Sequence, residues 1–419
     1  VLWILPLAFL LWRRRSYRYP RPPAPAVKAA PKPKPKAPVV GSDGQVRSPS
    51  VSANLAAIQS LPYILQSPDP RLDLRGVIVN DRARTSPGLN FFFPWSIGNP
   101  GKAYLMDMDG KILWRWSLEP YLGADRSRPW VEHFQLLPDG SVLCGLQDRS
   151  ILKLDRDSKL VWERKIRAHH DIWPDPGGDI YVLTHDRKVV PRIHPTLPVE
   201  CDAITVLDAG GKVKKTIPIL ELFERSGYSW LFPRLQNLAI GPNPGFLDVF
   251  HLNHVETLDG HLASRSRIFA KGNLLFSVRN LDTIGIIDAR TEKIVWLWGP
   301  GNLSYQHDPQ MLPDGDVLVF DNGVDRSQII QLEPISQKVT WRYAPPEGFF
   351  SSIAGSVQRL ANGNTLVTES MKGYAFEVTP SGEVVWKYAN PENNGKGKRN
   401  GIIRMTRVDP SRLTFLPKP

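Results

Sequence analysis

Histidine is scarce in this chain, nine in 419 residues, yet it recurs at one place in a repeated kind of segment. Glu132-His133 opens EHFQLLPDG, His169-His170-Asp171 opens HHDIWPDPGG, His251-Leu252-Asn253-His254 opens HLNHVETLDG, and Gln306-His307-Asp308 opens QHDPQMLPDG. In each segment a histidine stands seven to nine residues before a turn glycine. A single such histidine reads as a capping or core residue; the recurrence points to a common site. Arg279 ends the apolar run NLLFSVR. A charged group there needs a partner, such as Asp282 or a neighbouring repeat, or an anion. Two chemistries suit this set. Neutral imidazoles can hold zinc or copper, although Arg279 would repel a cation. Alternatively the guanidinium offers a planar fork to an oxyanion, and histidine serves as nucleophile, acid or donor. A sulfuryl or phosphoryl group fits the second reading. The chain has no Walker motif and no dinucleotide fingerprint, which speaks against a nucleotide donor.

The elements that carry these residues are short apolar strands between tight turns. PDG-SVLCGL-ILKLD-LVWERKI, PDG-DVLVFD-QIIQLE-KVTWRYA and NGN-TLVTES-YAFEVTPSG-EVVWKYA are copies of one unit, and GGD-IYVLT-AITVLDAGG-KVKKTIPI is a fourth without tryptophan. The strand-ending residues Trp114, Trp162, Trp296, Trp341 and Trp386 are separated by 48, 134, 45 and 45 positions. Runs bounded by Asp-Gly and Asn-Gly turns predict antiparallel hairpins, and about four strands per 45 residues predict propeller blades. Openings near Gly76, His133, His170, His251, His307 and Gly355 give an all-β, six-bladed β-propeller over residues 76–419. Residues 401–415 are expected to add a closing strand to the first blade and so remove its exposed edge. The repeated tryptophans are read as packing between blades. In such a ring the inner strands line the axis, so histidines at the blade openings converge on one pocket. Two segments rich in aromatic residues, Pro and Gly, 228–246 and 345–354, are expected to shape its selectivity.

The net charge of +12 is concentrated at the front. Residues 1–46 hold nine basic groups against Asp43, or +8, which leaves +4 for the rest. The basic balance therefore does not argue for a nucleic-acid partner. Residues 1–12 are apolar and run into Arg13-Arg14-Arg15. They are read as part of a transmembrane anchor, a signal segment being the alternative. Residues 13–48 form a basic Pro/Ala/Lys-rich linker of extended type, and 49–75 a lead-in segment. Cys144 and Cys201 show no metal-type spacing and are expected as free thiols, a single disulfide being the alternative in an exported domain.

The motifs HHDIWPDPGGDIYVL, FHLNHVETL, SVRNLDTIGIID, QHDPQMLPDGDVLVFDNG and NGNTLVTES…FEVTPSGEVVW together resemble the arylsulfotransferase family over residues 76–390. The resemblance implies a six-bladed propeller that moves a sulfuryl group from a phenolic sulfate ester to a phenol, without a nucleotide cofactor, in the periplasm. It implies His307 as the nucleophile that is transiently sulfurylated. His170 and His251 would contact the sulfuryl oxygens or move the phenolic proton, and Arg279 would steady the anion. Asn253, His169, His133 and His254 are carried as candidate substrate-binding residues, with no metal ligand and no cofactor. The expected partners are a phenolic sulfate donor, a phenol acceptor and a membrane reached through the N-terminal segment. The protein is expected to be membrane-anchored and to face the periplasm or cell exterior. A non-catalytic, membrane-tethered binding scaffold is the main alternative, and a metal-dependent oxidoreductase a third.

Overall fold

A computed structural model describes residues 39–40, 46–47, 71–95, 101–122, 131–231, 245–393 and 397–417. The chain divides into two units, Val1–Leu61 and Pro62–Pro419. In the first, Val39–Val40 pairs with Val46–Arg47 in a short antiparallel ladder. The expected anchor (1–12), and most of the linker (13–48) and lead-in segment (49–75), lie outside the described residues. Among the described residues no helix is long and apolar enough to cross a membrane.

The second unit is a ring of six sheets, antiparallel except where Leu247–Asp248 pairs in parallel with Val199–Glu200 in blade 3. The innermost strands of blades 2 to 6 are Val131–Leu136, Ala168–Pro174, Leu252–Thr257, His307–Met311 and Ser356–Arg359. The innermost strand of blade 1 comes from the far end of the sequence: Gly401–Val408 pairs with Leu89–Trp95. The expected closing strand is thus present and ends at Val408. The expected first opening at Gly76 needs correction. Gly76–Asn80 pairs with Val384–Ala389 and forms the outermost, fifth strand of blade 6. Its period-2 pattern is the same in either place, so the sequence motif carried no sign of the position across the sheet. Both ends of the ring therefore interlock at the junction of blades 6 and 1.

The periodic tryptophans bind blade to blade. The indole N–H of Trp114 donates to the Arg156 carbonyl, that of Trp296 to Pro334, that of Trp341 to Pro380 and that of Trp386 to Met108, at 2.7–3.0 Å. Each acceptor lies on the blade that follows, and Trp386 reaches back to blade 1. Trp116 does the same with the carbonyl of Gly140 at 2.9 Å. Gly140 is itself required: its φ is +82°, and a Cβ there would stand 2.6 Å from the ring of Phe415. Blade 3, the copy without tryptophan, fills the equivalent space with helix Ile219–Arg225, whose Ile219, Leu220, Leu222 and Phe223 are buried in the core shared with blade 4.

The inner strands leave backbone N–H groups along the axis without a ladder partner, and such groups must be satisfied. Side chains of the preceding blade accept them: Glu132 from His170, Asp171 from Val255, Glu256 from Met311, Asp308 from Val357 and Gln358 from Arg407, at 2.6–3.2 Å. These bonds fix the rotation of each blade against the next. Cys144 and Cys201 are both free thiols, Cys144 buried and its pKa pushed well up by that burial.

Candidate active site

At four blade openings the ladder is broken by a register shift, between Val131 and His133, Ala168 and Ile172, Leu252 and His254, and His307 and Gln310. In or beside the last three a non-glycine residue takes a left-handed conformation: His170 at φ +48°, His251 at +53° and Asp308 at +50°. Such backbone costs about 1–3 kcal/mol per residue and persists only where the surroundings over-determine it. Here they do. The His170 amide donates to Glu132 at 2.6 Å, and the amide following His251, that of Leu252, donates to Asp202 at 2.8 Å. The bulges re-aim the histidines out of the pleat.

His170, His251, His307 and Arg279 come together. Nε2 of His170 lies 3.0 Å from Nε2 of His251, whose Nδ1 is 2.5 Å from Asp248 Oδ2. Arg279 sits in the 3-10 turn Arg279–Leu281 that ends strand Leu274–Val278, is buried, and lays its guanidinium over the Tyr305 ring at 4.7 Å. Its Nη1 donates to Asn280 Oδ1 at 3.0 Å. Burial first, and then the Arg279 charge, bring the His307 pKa down to about 3, so the imidazole is neutral at pH 7. Burial, followed by His251, lowers His170 well below its ordinary value. Burial works against ionisation of Asp248, but His251 and Arg279 outweigh it and hold the carboxyl below its usual range.

The orientation of His307 is fixed from behind. Its Nδ1 is 2.7 Å from Asn322 Oδ1 and 2.9 Å from the Tyr305 carbonyl. Both are acceptors, so Nδ1 carries the proton and Nε2 the lone pair. The Asn322 amide cannot turn, because its Nδ2 donates to the carbonyls of Ser351 and Ala354 at 2.8 and 2.6 Å. Asn253 supports the same strand from the other side, its Nδ2 donating to the Gln306 carbonyl at 2.8 Å. His169 stands behind His170, the two Nδ1 atoms 2.8 Å apart.

His133 and His254 join a second cluster, on the same inner strands. His254 Nδ1 is 2.9 Å and His133 Nδ1 3.3 Å from the carboxylate of Asp171. Arg404, from the inner strand of blade 1, bridges Asp171 at 3.3 Å and Asp308 at 2.8 Å. Burial would discharge His254, but Asp171 prevails and lifts its pKa to about 9. His133 goes down to about 3 through burial and the Arg404 charge. His133 and His254, two of the three histidines that the sequence assigns to substrate, each present Nδ1 to Asp171, in a network that joins blades 2, 3, 4, 5 and 1. The residues sequence reasoning missed are Asn322, Asp248 and Arg404. Asn322 lay in the FDNG motif, but its role needs a partner fifteen positions away. A group able to take a metal ion, His169, His185 and Asp202, lies beside this site, its ligand atoms within 4.8 Å of one another.

Comparison with known proteins agrees with this architecture. A solved protein of unknown function from Bacteroides caccae superposes with a TM-score of 0.51 at 15% identity, covering 76% of this chain and 98% of that one. A streptogramin B lyase superposes at 0.45 and 13% identity, covering 82% and 96%. At 15% identity the likeness to the first of these extends to the fold alone. No curated protein matches the chain. The arylsulfotransferase (ASST) family model matches residues 133–391, which span five of the six blades and all four convergent residues, and the chain belongs to that family.

Proposed function

We propose that this protein transfers a sulfuryl group from a phenolic sulfate ester to a phenol through a transient sulfohistidine at His307, with no nucleotide donor. Family membership supports a sulfotransferase-type activity on phenolic substrates. The observation that carries the finer reading is the double acceptor behind His307, which leaves Nε2 as a neutral, directed lone pair beside a buried guanidinium. In the first half-reaction Nε2 attacks sulfur, the N–S bond forms and the S–O(aryl) bond breaks. The leaving oxygen takes a proton from the His170–His251 pair, which enters the step carrying one positive charge balanced by the Asp248 carboxylate and leaves it neutral. The Nδ1–H of the now cationic ring stays on Asn322 and Tyr305, whose carbonyl oxygens stabilise the positive charge. The charge on the equatorial sulfuryl oxygens is met by Arg279 and the two histidines. In the second half-reaction an acceptor phenol returns its proton to that pair, attacks sulfur and frees His307. Holding donor and nucleophile in line supplies much of the acceleration. A tether through residues 1–12 and a location in the periplasm or at the cell exterior belong to the same proposal, and rest on the apolar run before Arg13–Arg15.

The test is transfer from a chromogenic aryl sulfate to an added phenol. The wild-type protein turns over and accumulates a sulfuryl adduct on the peptide containing His307. His307→Ala, with unchanged circular dichroism, gives neither. Absence of transfer by the wild type across a broad phenol panel overturns the proposal, and partner binding that survives His307→Ala would then point to a scaffold.

A further inference from the structure

His185 and Asp202 face each other directly across the ladder between Ile180–Val189 and Pro198–Leu207, and Glu200 lies two positions from Asp202 on the same face. His169 stacks on His185 with ring centroids 4.8 Å apart and planes at 23°. All four side chains come from blade 3, and His169, His185 and Asp202 are buried. Their polar atoms are not used up by hydrogen bonds. His169 Nε2 and both ring nitrogens of His185 are buried without a well-formed hydrogen bond, although His185 Nε2 stands 2.7 Å from Asp148 Oδ1. His169 Nε2 stands 3.5 Å from Asp202 Oδ1, and His185 Nδ1 stands 3.5 Å from Glu200 Oε1.

Those separations are too long for hydrogen bonds. They match the spacing of two ligand atoms that share one ion: with bonds of about 2.0–2.1 Å, neighbouring ligands of a tetrahedral site lie about 3.4 Å apart. The remaining atoms of the set are already spoken for in the way that metal ligands require. His185 Nε2 lies 2.7 Å from Asp148 Oδ1, a carboxylate behind the ring that leaves Nδ1 as the ligating nitrogen. His169 Nδ1 faces His170, which leaves Nε2. Asp202 Oδ2 accepts the Leu252 amide, which leaves Oδ1. Glu200 Oε2 accepts from Arg187, which leaves Oε1. Arg187 bridges Glu200 and Asp148, and Arg167 adds to the positive field at Asp148, so among the described residues Asp202 is the carboxyl of the set with no guanidinium against it; burial and the neighbouring carboxylates raise its pKa, the direction a bound cation would reverse.

We propose that His169, His185 and Asp202 bind a divalent metal ion of the zinc type, directly behind His170, with Glu200, which stands against His185, turning in as the fourth ligand. Two imidazoles and two carboxylates form a neutralising N₂O₂ set for such an ion. The ion sits on the far side of His169 from the sulfuryl site, so it is not opposed by Arg279. Its effect on the reaction passes through one hydrogen bond. Metal on Nε2 of His169 obliges Nδ1 to carry the proton and donate to Nδ1 of His170. His170 then holds its own proton on Nε2, toward His251. The ion thereby fixes His170 as a proton donor; this consequence rests on the function proposed above, whereas binding itself does not.

The experiment uses the full chain, stripped with a chelator and titrated with Co²⁺ and Zn²⁺. Wild type takes up one equivalent of Co²⁺ with visible ligand-field bands of a four-coordinate nitrogen/oxygen site, and Zn²⁺ displaces it. His185→Gln and Asp202→Asn each weaken binding at least tenfold, whereas His261→Ala, which alters an exposed histidine elsewhere, binds as wild type does. A wild-type protein, folded by circular dichroism, that shows no stoichiometric Co²⁺ bands overturns the proposal without any variant. Equal affinity in wild type, His185→Gln and Asp202→Asn overturns it as well. Metal binding with no sulfuryl transfer would retain the site and discard the reaction, and the reverse would discard the site alone.

Discussion

Replacing Asn322 separates the direction of the His307 lone pair from the mere presence of the ring. In Asn322→Leu the side chain keeps its approximate volume but loses one acceptor for His307 Nδ1 and two donors, to the Ser351 and Ala354 carbonyls. The Tyr305 carbonyl remains as the second acceptor. Removing one of two bonds that hold the tautomer costs about 1–1.5 kcal/mol, or roughly a tenfold fall in rate. Orphaning two buried carbonyls costs about 1–3 kcal/mol each in stability. Asn322→Asp loses the same two donors but keeps an acceptor on Nδ1, now anionic. It is expected to fall in stability like the leucine variant while retaining more transfer at neutral pH. The carboxylate also raises the His307 pKa by about 1–3 units, so the acid limb of the rate profile moves to higher pH. The assay is the initial rate of sulfuryl transfer against pH, with melting temperature measured in parallel. If leucine and aspartate lose rate equally while both stay folded, or if leucine loses none, the orienting role assigned to Asn322 is wrong.

Arg279→Met is expected to lower kcat/KM about 100-fold or more by removing the anion's guanidinium, with Arg279→Lys less affected, since a point charge replaces a fork; equal rates for Met and wild type in the transfer assay would remove Arg279 from the site. Arg404→Met leaves two largely buried carboxylates, Asp171 and Asp308, facing one cation, the His254 imidazolium, and should cost about 3–5 kcal/mol; chemical denaturation measures this, and Asp308→Asn in the same chain should recover part of it. Stability should also depend on pH in opposite senses for different histidines. His133 and His307 have folded pKa values near 3, so between there and the unfolded value of about 6.5 the unfolded chain binds more protons. Stability therefore falls as pH drops below about 6.5, with the two together contributing about 3 kcal/mol per pH unit. His254, raised to about 9, stabilises fully below about 6.5, and its contribution is lost as pH rises through 9. A melting temperature that rises steadily from pH 6.5 down to 4 would contradict the two lowered histidines.

The blades were legible because their signals are local. Asp-Gly turns, alternating strands and an outer tryptophan lie within one 45-residue unit, and the structure explains the tryptophan as a donor to the next blade. The three convergent histidines were legible because a ring turns equal positions in successive repeats into neighbours, and Arg279 because a charge ends an apolar strand. What the sequence did not disclose is pairing between distant segments. Gly76–Asn80 and Gly401–Val408 have ordinary strand patterns, and only ring closure decides that one is outermost in blade 6 and the other innermost in blade 1. Asn322 was hidden for the same reason, since its partners at 307, 351 and 354 are set by tertiary structure. His133 and His254 have the same type and spacing, and their Nδ1 atoms face Asp171, a contact between blades that the sequence does not display.

The closing strand has a consequence for the order in which this protein can mature. Synthesis runs from the N-terminus, and Gly401–Val408 brings Arg404, the cation that Asp171 and Asp308 share. Until that segment has emerged, two carboxylates on the future axis face one cation, the His254 imidazolium, and the first blade lacks its inner strand. The hub that aligns the histidines can therefore form only after translation of the last strand, so chains truncated before it should be recognised by quality control as unfinished rather than accumulate as partly active rings.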